Sequence, residues 1–261
     1  MPELGVDGAV LFYEQSGADP DIVWLAAGDH PGRNWRRFQT PAFDPGHRST
    51  TYRARGVGET RSEHPPPWSI PRHAADLIGL IEAVCAPPVT LIGLSMGSLI
   101  AQELACARPD LVRCAIVMGT CVRKVGFIRE WEEAEIALRR TGGTLPHDFA
   151  LTHYALLYYP ADVLGDDEAW ERVRPLVAQD FAEPDGRMLA AQWQACLDYD
   201  SSLLLPTCTV PLHAIAFSQD VQTSPQRVRE VAALAPTGQN HELEHCGHGS
   251  ALGQRPDEVN A

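Results

Sequence analysis

A serine lies between two glycines in the stretch LIGLSMGSLI, residues 91–100. Ser95 stands in the motif Gly93-Leu94-Ser95-Met96-Gly97, which has the form Gly-x-Ser-x-Gly. A serine hydroxyl is a poor nucleophile at neutral pH, so it needs a base within hydrogen-bond reach and a third group that orients the base. If Ser95 is a nucleophile, the chain must therefore also supply a base and a carboxylate. The alternative is an inert serine in a small-residue turn.

The segments on either side of Ser95 favour the nucleophile. VTLIG (89–93) predicts a buried strand, and MGSLIAQELACARPD (96–110) predicts a helix. A strand that turns directly into a helix strains its corner residue, and bulky neighbours would collide there, which explains a glycine on each side. The helix also begins with free N–H groups and the positive end of its dipole beside the hydroxyl.

The rest of the chain alternates between predicted strands and helices. Such alternation predicts an α/β fold with a mostly parallel central sheet and helices on both of its faces. In such sheets, ligands bind at the carboxyl ends of the strands, where Ser95 is expected. The predicted strands are 9–17, 21–27, 48–55, 89–93, 112–119, 210–217 and 240–246, and the main helices are 70–86, 96–110 and 224–236.

One stretch breaks this alternation. Residues 121–197 are dense in Arg, Glu and aromatic residues and carry no strand signal. We expect a helical cap inserted at 121–197 into an α/β core formed by 1–120 and 198–261. Such a cap would cover the site.

Composition excludes several classes of function. The net charge of −13 repels phosphate backbones, so nucleic acid is not an expected partner. The seven scattered cysteines are not a disulfide framework and are expected to be reduced. No signal peptide is visible, and no apolar run approaches the ~20 residues that span a bilayer. We therefore expect a cytoplasmic protein without a membrane partner.

The chain resembles the α/β-hydrolase superfamily over nearly its whole length. GLSMGSLIAQELACARPDLVR resembles the nucleophile elbow of the esterase, lactonase and cofactor-free haloperoxidase branch, and the overall pattern is similar to 3-oxoadipate enol-lactonase-like proteins. YRARGVGETRS resembles the family's D-x-R-G-x-G-x-S segment. AFSQDVQTSP resembles the segment that carries the acid, and HCGHGS the one that carries the histidine.

The resemblance implies the order nucleophile, acid, histidine along the chain. It assigns the base to His248, in the loop after the last strand, and the acid to Asp220. An aspartate that only caps its own turn is the alternative for Asp220. Asp198 and Asp200 are the substitute acids.

The expected oxyanion donors are backbone N–H groups. One is that of Met96, the residue after the nucleophile. The other is that of Asp29, in a loop that reads Ala27-Gly28-Asp29-His30 where the family usually has His-Gly-x. The Asp29 carboxylate would oppose a developing oxyanion if it pointed inward.

No cofactor or metal is expected. His245, Cys246 and His248 are close in sequence, but no further ligand pair at metal spacing accompanies them. Aromatic and polar side chains near the site and in the cap are candidate substrate contacts, with packing as the alternative for each of the cap aromatics. The candidates are His30, Trp35, Trp131, Tyr154, Tyr158 and Trp193.

These residues imply three alternative functions. The first is a serine-dependent hydrolase of a small ester, lactone or thioester. The second is an acyltransferase with the same triad, which takes an acyl or aryl-acyl group from a carrier protein or CoA. The third is a non-catalytic receptor of the same fold. The sequence does not separate water from another acyl acceptor, because the acyl-enzyme forms in both reactions.

Overall fold

A computed structural model of the chain describes residues 2–28, 32–180 and 186–261, and within these residues nine strands form one sheet. Their bounds are β1 Glu3–Val6, β2 Ala9–Ser16, β3 Asp21–Leu25, β4 Arg48–Tyr52, β5 Arg61–Ser62, β6 Val89–Leu94, β7 Val112–Met118, β8 Leu212–Phe217 and β9 Gly238–Leu243.

The sheet runs in the order β1-β2-β4-β3-β6-β7-β8-β9, and β5 pairs with β2. From β4 to β9 every pairing is parallel, whereas β1, β2 and β5 pair antiparallel at one edge. The central strand β3 is buried at all five residues, as expected of a strand that is covered on both faces. The predicted α/β fold with a mostly parallel sheet is confirmed.

Helices cover both faces of the sheet. Residues of α3, α4 and α10 join the larger apolar cluster, and residues of α1, α2 and α11 pack with the cluster on the opposite face. Among the described residues, none of the helices combines the length and apolar composition that a membrane crossing requires. The helices are α1 Arg33–Phe38, α2 Thr40–Phe43, α3 Ile70–Val84, α4 Met96–Ala107, α5 Phe127–Arg140, α6 His147–Tyr158, α7 Ala161–Leu164, α8 Asp167–Asp180, α9 Gly186–Leu197, α10 Pro225–Leu234 and α11 Pro256–Asn260.

Helices α5 to α9 follow one another between β7 and β8 and bury an apolar cluster of their own. The predicted division into a core and a cap at 121–197 is compatible with this arrangement, and its boundaries remain a prediction.

The side chain of Arg55 stabilises the loop after β4 through hydrogen bonds. It is fully buried, and its guanidinium donates two hydrogen bonds to Asp76 of α3, at 2.6 and 2.8 Å. It also donates to the carbonyl oxygens of Asp7 and Gly8 and to Ser62. This segment, which resembles a family motif, therefore joins the antiparallel edge of the sheet to α3.

His73 lies one helical turn before Asp76 and is expected to make stability depend on pH. Burial, together with the charges of Arg55 and Arg72, lowers the pKa of His73 to about 4. In the unfolded chain this histidine has a pKa of about 6.5, so between these values the unfolded state binds more protons. Above about pH 6.5 the histidine is neutral in both states, and its full contribution to the free energy of unfolding is present. As the pH falls to 4, the free energy of unfolding should decrease by roughly 3 kcal/mol from this group.

Urea unfolding at pH 7 and pH 4 measures this effect. In His73→Phe the decrease in the free energy of unfolding between pH 7 and pH 4 should be smaller by that amount. The control, His147→Phe, removes an exposed histidine of α6 and should show the same decrease as wild type. An equal pH dependence in wild type and His73→Phe would refute the assignment.

Candidate active site

Ser95 occupies the strained corner between β6 and α4. Its backbone angles are φ 55° and ψ −120°, a conformation that is rare for a residue with a side chain. The corner is held by the Ser95 N–H, which donates to the Met118 carbonyl at 3.0 Å, and by the Ser98 hydroxyl, which donates to the Ser95 carbonyl at 2.5 Å. Strain of this kind persists only where surrounding contacts enforce it, and it is concentrated at functional sites.

The two glycines of the motif are required by close backbone contacts. A Cβ atom on Gly93 would lie 2.4 Å from the carbonyl oxygen of Gly97, and one on Gly97 would lie 2.2 Å from that of Leu25. Both obstacles are backbone atoms, which cannot rotate away. The glycines thus allow α4 to start directly against the ends of β3 and β6.

His248 and Asp220 form a buried hydrogen-bonded pair. The distance between His248 Nδ1 and Asp220 Oδ2 is 2.7 Å, and the two side chains are 1% and 0% exposed. The second oxygen, Asp220 Oδ1, accepts from the backbone N–H groups of Gln222 and Thr223 at 2.8 and 2.9 Å. The Thr223 hydroxyl donates to Oδ2 at 2.8 Å. Asp220 therefore caps its own turn and orients the histidine at the same time.

The other ring nitrogen of His248 is buried, and it has no hydrogen-bond partner among the described residues. The ring lies against Gly119, because a Cβ atom there would be 3.0 Å from His248 Cε1. Gly119 directly follows Met118, the residue whose carbonyl accepts the Ser95 N–H. The structure thus brings the imidazole and the serine corner to the same end of β7.

The end of α6 packs on both loops that carry this pair. Gly249 N–H donates to the Tyr158 carbonyl at 2.8 Å, and Gln222 Nε2 donates to the Leu157 carbonyl at 3.0 Å. The Tyr158 ring meets the His248 ring edge to face, with centroids 5.6 Å apart. Helix α6 consequently helps to position the loop that carries Asp220 and the loop that carries His248.

A second cap aromatic, Trp193, lies near the strand end that precedes the predicted oxyanion loop, and Trp131 packs behind it. Trp193 lies beside Gly28, where a Cβ atom would be 3.6 Å from Trp193 Cδ1. Trp131 packs on Trp193 with ring centroids 5.2 Å apart. Trp193 and Tyr158 are therefore candidates in contact with the loops of the site, and Trp131 reaches this region through Trp193.

The structure places Trp35 and Tyr154 elsewhere. Trp35 is 1% exposed and packs against Trp24 on the sheet. Tyr154 is buried inside the cap, where its hydroxyl contacts Arg139 and Glu135. Packing explains both residues, so neither is retained as a substrate contact.

The structure gives different outcomes for the other predicted site residues. Met96 is the first residue of α4, a position whose N–H has no partner within the helix. Asp29 and His30 lie outside the described residues. The substitute acids bond elsewhere, since Asp198 accepts from Gln194 at 2.8 Å and Asp200 from the Ser202 N–H at 2.8 Å.

A metal centre is not apparent in the same region. The exposed side chain of His245 faces Asp162, 3.9 Å away, while His248 is buried. Among the described residues, no group of three His, Cys, Asp or Glu side chains could hold a metal ion.

Sequence reasoning missed three residues that support the site. These are Thr223, which donates to Asp220, and Gln219 and Gln222, which bond the cap. All three lie in AFSQDVQTSP, the segment that was already assigned to the acid, so the sequence contained a pattern that could have identified them. A hydroxyl three residues after an aspartate is typical of a side chain that bonds the local turn.

Comparison with known proteins identifies relatives along nearly the entire chain. The profile of the Alpha/beta hydrolase family matches residues 22–261. A candidate non-heme bromoperoxidase, BpoC of Mycobacterium tuberculosis, is 31% identical over 255 residues, which covers 96% of this chain and 94% of BpoC. The pimeloyl-[acyl-carrier protein] methyl ester esterase of Stenotrophomonas maltophilia is 30% identical over 212 residues, or 79% of this chain and 77% of the esterase.

Solved structures agree with these relationships. The crystal structure of BpoC superposes with a TM-score of 0.86 at 30% identity and covers 96% of this chain and 92% of BpoC. The enol-lactonase from Burkholderia xenovorans LB400 superposes with a TM-score of 0.87 at 24% identity, over 99% of this chain and 96% of the lactonase. At this level of identity, the likeness to the lactonase shows a shared fold.

Proposed function

Because the chain belongs to the α/β-hydrolase family, as its sequence resemblance indicated, we propose that it is a serine-dependent acyl hydrolase with the triad Ser95-His248-Asp220. Family membership and relatives named as hydrolases support hydrolase activity. The observation that carries the finer proposal is the buried 2.7 Å bond between His248 Nδ1 and Asp220 Oδ2, with the opposite ring nitrogen free of any bond to a described residue.

The proposed reaction proceeds through an acyl-enzyme. His248 Nε2 removes the proton of Ser95 Oγ as this oxygen attacks the substrate carbonyl carbon. Asp220 holds the ring with Nδ1 protonated and stabilises the imidazolium that forms. The Met96 N–H, together with that of Asp29, stabilises the oxyanion. His248 then returns its proton to the departing alcohol or thiol, and a water molecule, activated in the same way, releases the acid.

The proposed substrate is a small acyl compound, namely an ester, lactone or thioester. Tyr158, Trp131 and Trp193 are the proposed apolar wall, because Tyr158 contacts His248, Trp193 lies beside Gly28 and Trp131 packs on Trp193. A carrier-bound acyl group is a further candidate substrate, since one relative is named as an esterase that acts on an acyl-carrier-protein ester.

Turnover of simple acyl compounds tests the proposal. Wild-type protein is expected to hydrolyse p-nitrophenyl butyrate, a short N-acetylcysteamine thioester or a small aryl lactone with saturation kinetics. Intact-mass spectrometry of quenched samples should show the acyl group on Ser95 during turnover. Absence of both turnover and acylation with every compound would refute the hydrolase and favour a non-catalytic receptor.

The lifetime of the acyl-enzyme in the same samples shows whether the acyl group passes to water or to another acceptor. A hydrolase is expected to lose its acyl adduct within the time of one turnover in buffer alone. An acyltransferase would retain the adduct until an amine, thiol or alcohol was added, and this result would replace the proposed hydrolysis by transfer.

A further inference from the structure

A cavity lies beside the loop that follows Asp220. Its volume is about 200 Å³, and neither Ser95 nor His248 lines it. Two segments form its walls, the stretch that leads from β7 into α5 and the stretch that leads from Asp220 into α10. The lining residues are Cys121, Arg123, Lys124, Val125, Gly126, Phe127, Ile128, Val221, Gln222, Ser224 and Arg227.

The lining is positively charged in a protein with a net charge of −13. It contains Arg123, Lys124 and Arg227, and no carboxylate is among the described residues that line it. Lys124 is 6% exposed and bonds Glu132 at 2.7 Å. Burial acts to lower the pKa of Lys124, but Glu132, Cys121 and Cys196 together hold the pKa above its ordinary value. This lysine is therefore a cation at neutral pH.

Both arginines retain bonding capacity. Arg227 contacts Glu230 through Nη1 alone, and its guanidinium makes no other hydrogen bond to a described residue. Arg123 reaches Asp200 only at 3.8 Å, beyond hydrogen-bond distance. A guanidinium with free N–H groups is suited to a bidentate oxyanion contact.

Two long helices begin at the cavity and add to its positive potential. Gly126 and Ser224 precede the first residues of α5 and α10, and neither helix start has a side-chain cap. The first N–H groups of α5 have no acceptor within the helix, and the dipole there favours an anion. Helix α10 starts with Pro225, which has no N–H, and the Arg227 N–H donates to the Ser224 carbonyl, so α10 contributes through its dipole.

The rim of the cavity is apolar. Phe127 and Val221 are 65% and 55% exposed, although most large apolar side chains of this protein are buried. A cavity of this volume holds only about six or seven water molecules at roughly 30 Å³ each. It is smaller than the 300–1,000 Å³ or so of drug-sized ligand sites. Space therefore exists for an anionic group, with its organic substituent outside against the rim.

We propose that this cavity binds the phosphate group of an organic phosphate monoester, whose carbon substituent packs against Phe127 and Val221. Three cationic side chains and the uncapped start of α5 are suited to a dianion. Neither Ser95 nor His248 lines the site, although Gln222 contacts both the cavity and Asp220, and the proposed binding does not require hydrolysis. Binding is expected to persist in Ser95→Ala.

Calorimetric titration of Ser95→Ala with phenyl phosphate and with inorganic phosphate, at constant ionic strength set with chloride, tests the proposal. Both ligands should bind saturably at one site per chain, and phenyl phosphate should bind more tightly. Arg227→Gln should weaken both ligands by about tenfold or more, the effect of one charge-assisted hydrogen bond. Phe127→Ser should weaken phenyl phosphate only.

The matched control is Arg229→Gln. It removes the same charge from the same helix, but Arg229 pairs with Glu242 and does not line the cavity. Its affinities should stay within about twofold of the parent, a change of roughly 0.4 kcal/mol. Absence of saturable binding, or equal losses in both arginine variants, would overturn the site. Equal affinities for the two ligands would overturn the contact with an organic group and identify free phosphate as the ligand.

Discussion

Replacement of Ser95 by alanine is expected to lower kcat for ester hydrolysis by about 10⁵- to 10⁶-fold, the order seen when a serine hydrolase loses its nucleophile. Residual rate above the uncatalysed reaction, about 10³- to 10⁴-fold, should remain from oxyanion stabilisation and binding. The measurement is steady-state hydrolysis of the best p-nitrophenyl ester, with total protein quantified by absorbance.

This variant should fold normally. Alanine and serine differ by one oxygen, and both have the Cβ atom that the left-handed corner already accommodates. The midpoint of thermal unfolding should therefore shift by no more than about 2 °C. Ser202→Ala, in the segment that leads from the cap back to β8, is the matched control and should keep full activity. A Ser95→Ala protein with activity near that of Ser202→Ala would exclude Ser95 as the nucleophile.

Replacement of His248 by alanine is expected to cause a loss of the same order, about 10⁵- to 10⁶-fold in kcat, because nucleophile and base act as a unit. Ser95 Oγ would then have no group to receive its proton. Asp220 would lose one of its four donors but retain those from Gln222 and Thr223. The protein is therefore expected to remain folded, which circular dichroism and thermal unfolding can verify.

Two comparisons make the His248 result specific. His245→Ala removes an exposed imidazole three residues earlier and should leave kcat within about twofold, a change of roughly 0.4 kcal/mol in the barrier. Added imidazole should partly restore His248→Ala, because it can enter the space that the side chain leaves. Full activity of His248→Ala, or equal losses in both variants, would contradict the assignment of the base.

The sequence predicted most of the sheet and the elbow because these depend on local patterns. Continuous apolar runs identified β3 and β6, and the paired glycines around Ser95 anticipated close backbone contacts. Chain order and loop position selected His248 from ten histidines. That choice used the family resemblance, since no local pattern distinguishes a base from a packed imidazole.

Other features depend on contacts between distant segments. β1 and β5 have four and two residues, too few for a periodic pattern, and they exist because β2 pairs with both. Trp35 followed the oxyanion loop in sequence and was expected at the substrate, yet α1 turns it onto the sheet beside Trp24. The contact of Tyr158 with His248 joins residues that are far apart in the chain.

The central claim is that the corner hydroxyl of Ser95 is activated by His248. Its most direct test is the rate at which a fluorophosphonate modifies the protein, followed by intact-mass spectrometry and peptide mapping. Wild type and Ser202→Ala should gain one adduct per chain, located on Ser95. Ser95→Ala should gain none, and His248→Ala should react at least about 10³-fold more slowly, a barrier increase of roughly 4 kcal/mol. Modification of Ser95→Ala at the wild-type rate, or of Ser95 at an unchanged rate without His248, would contradict the account.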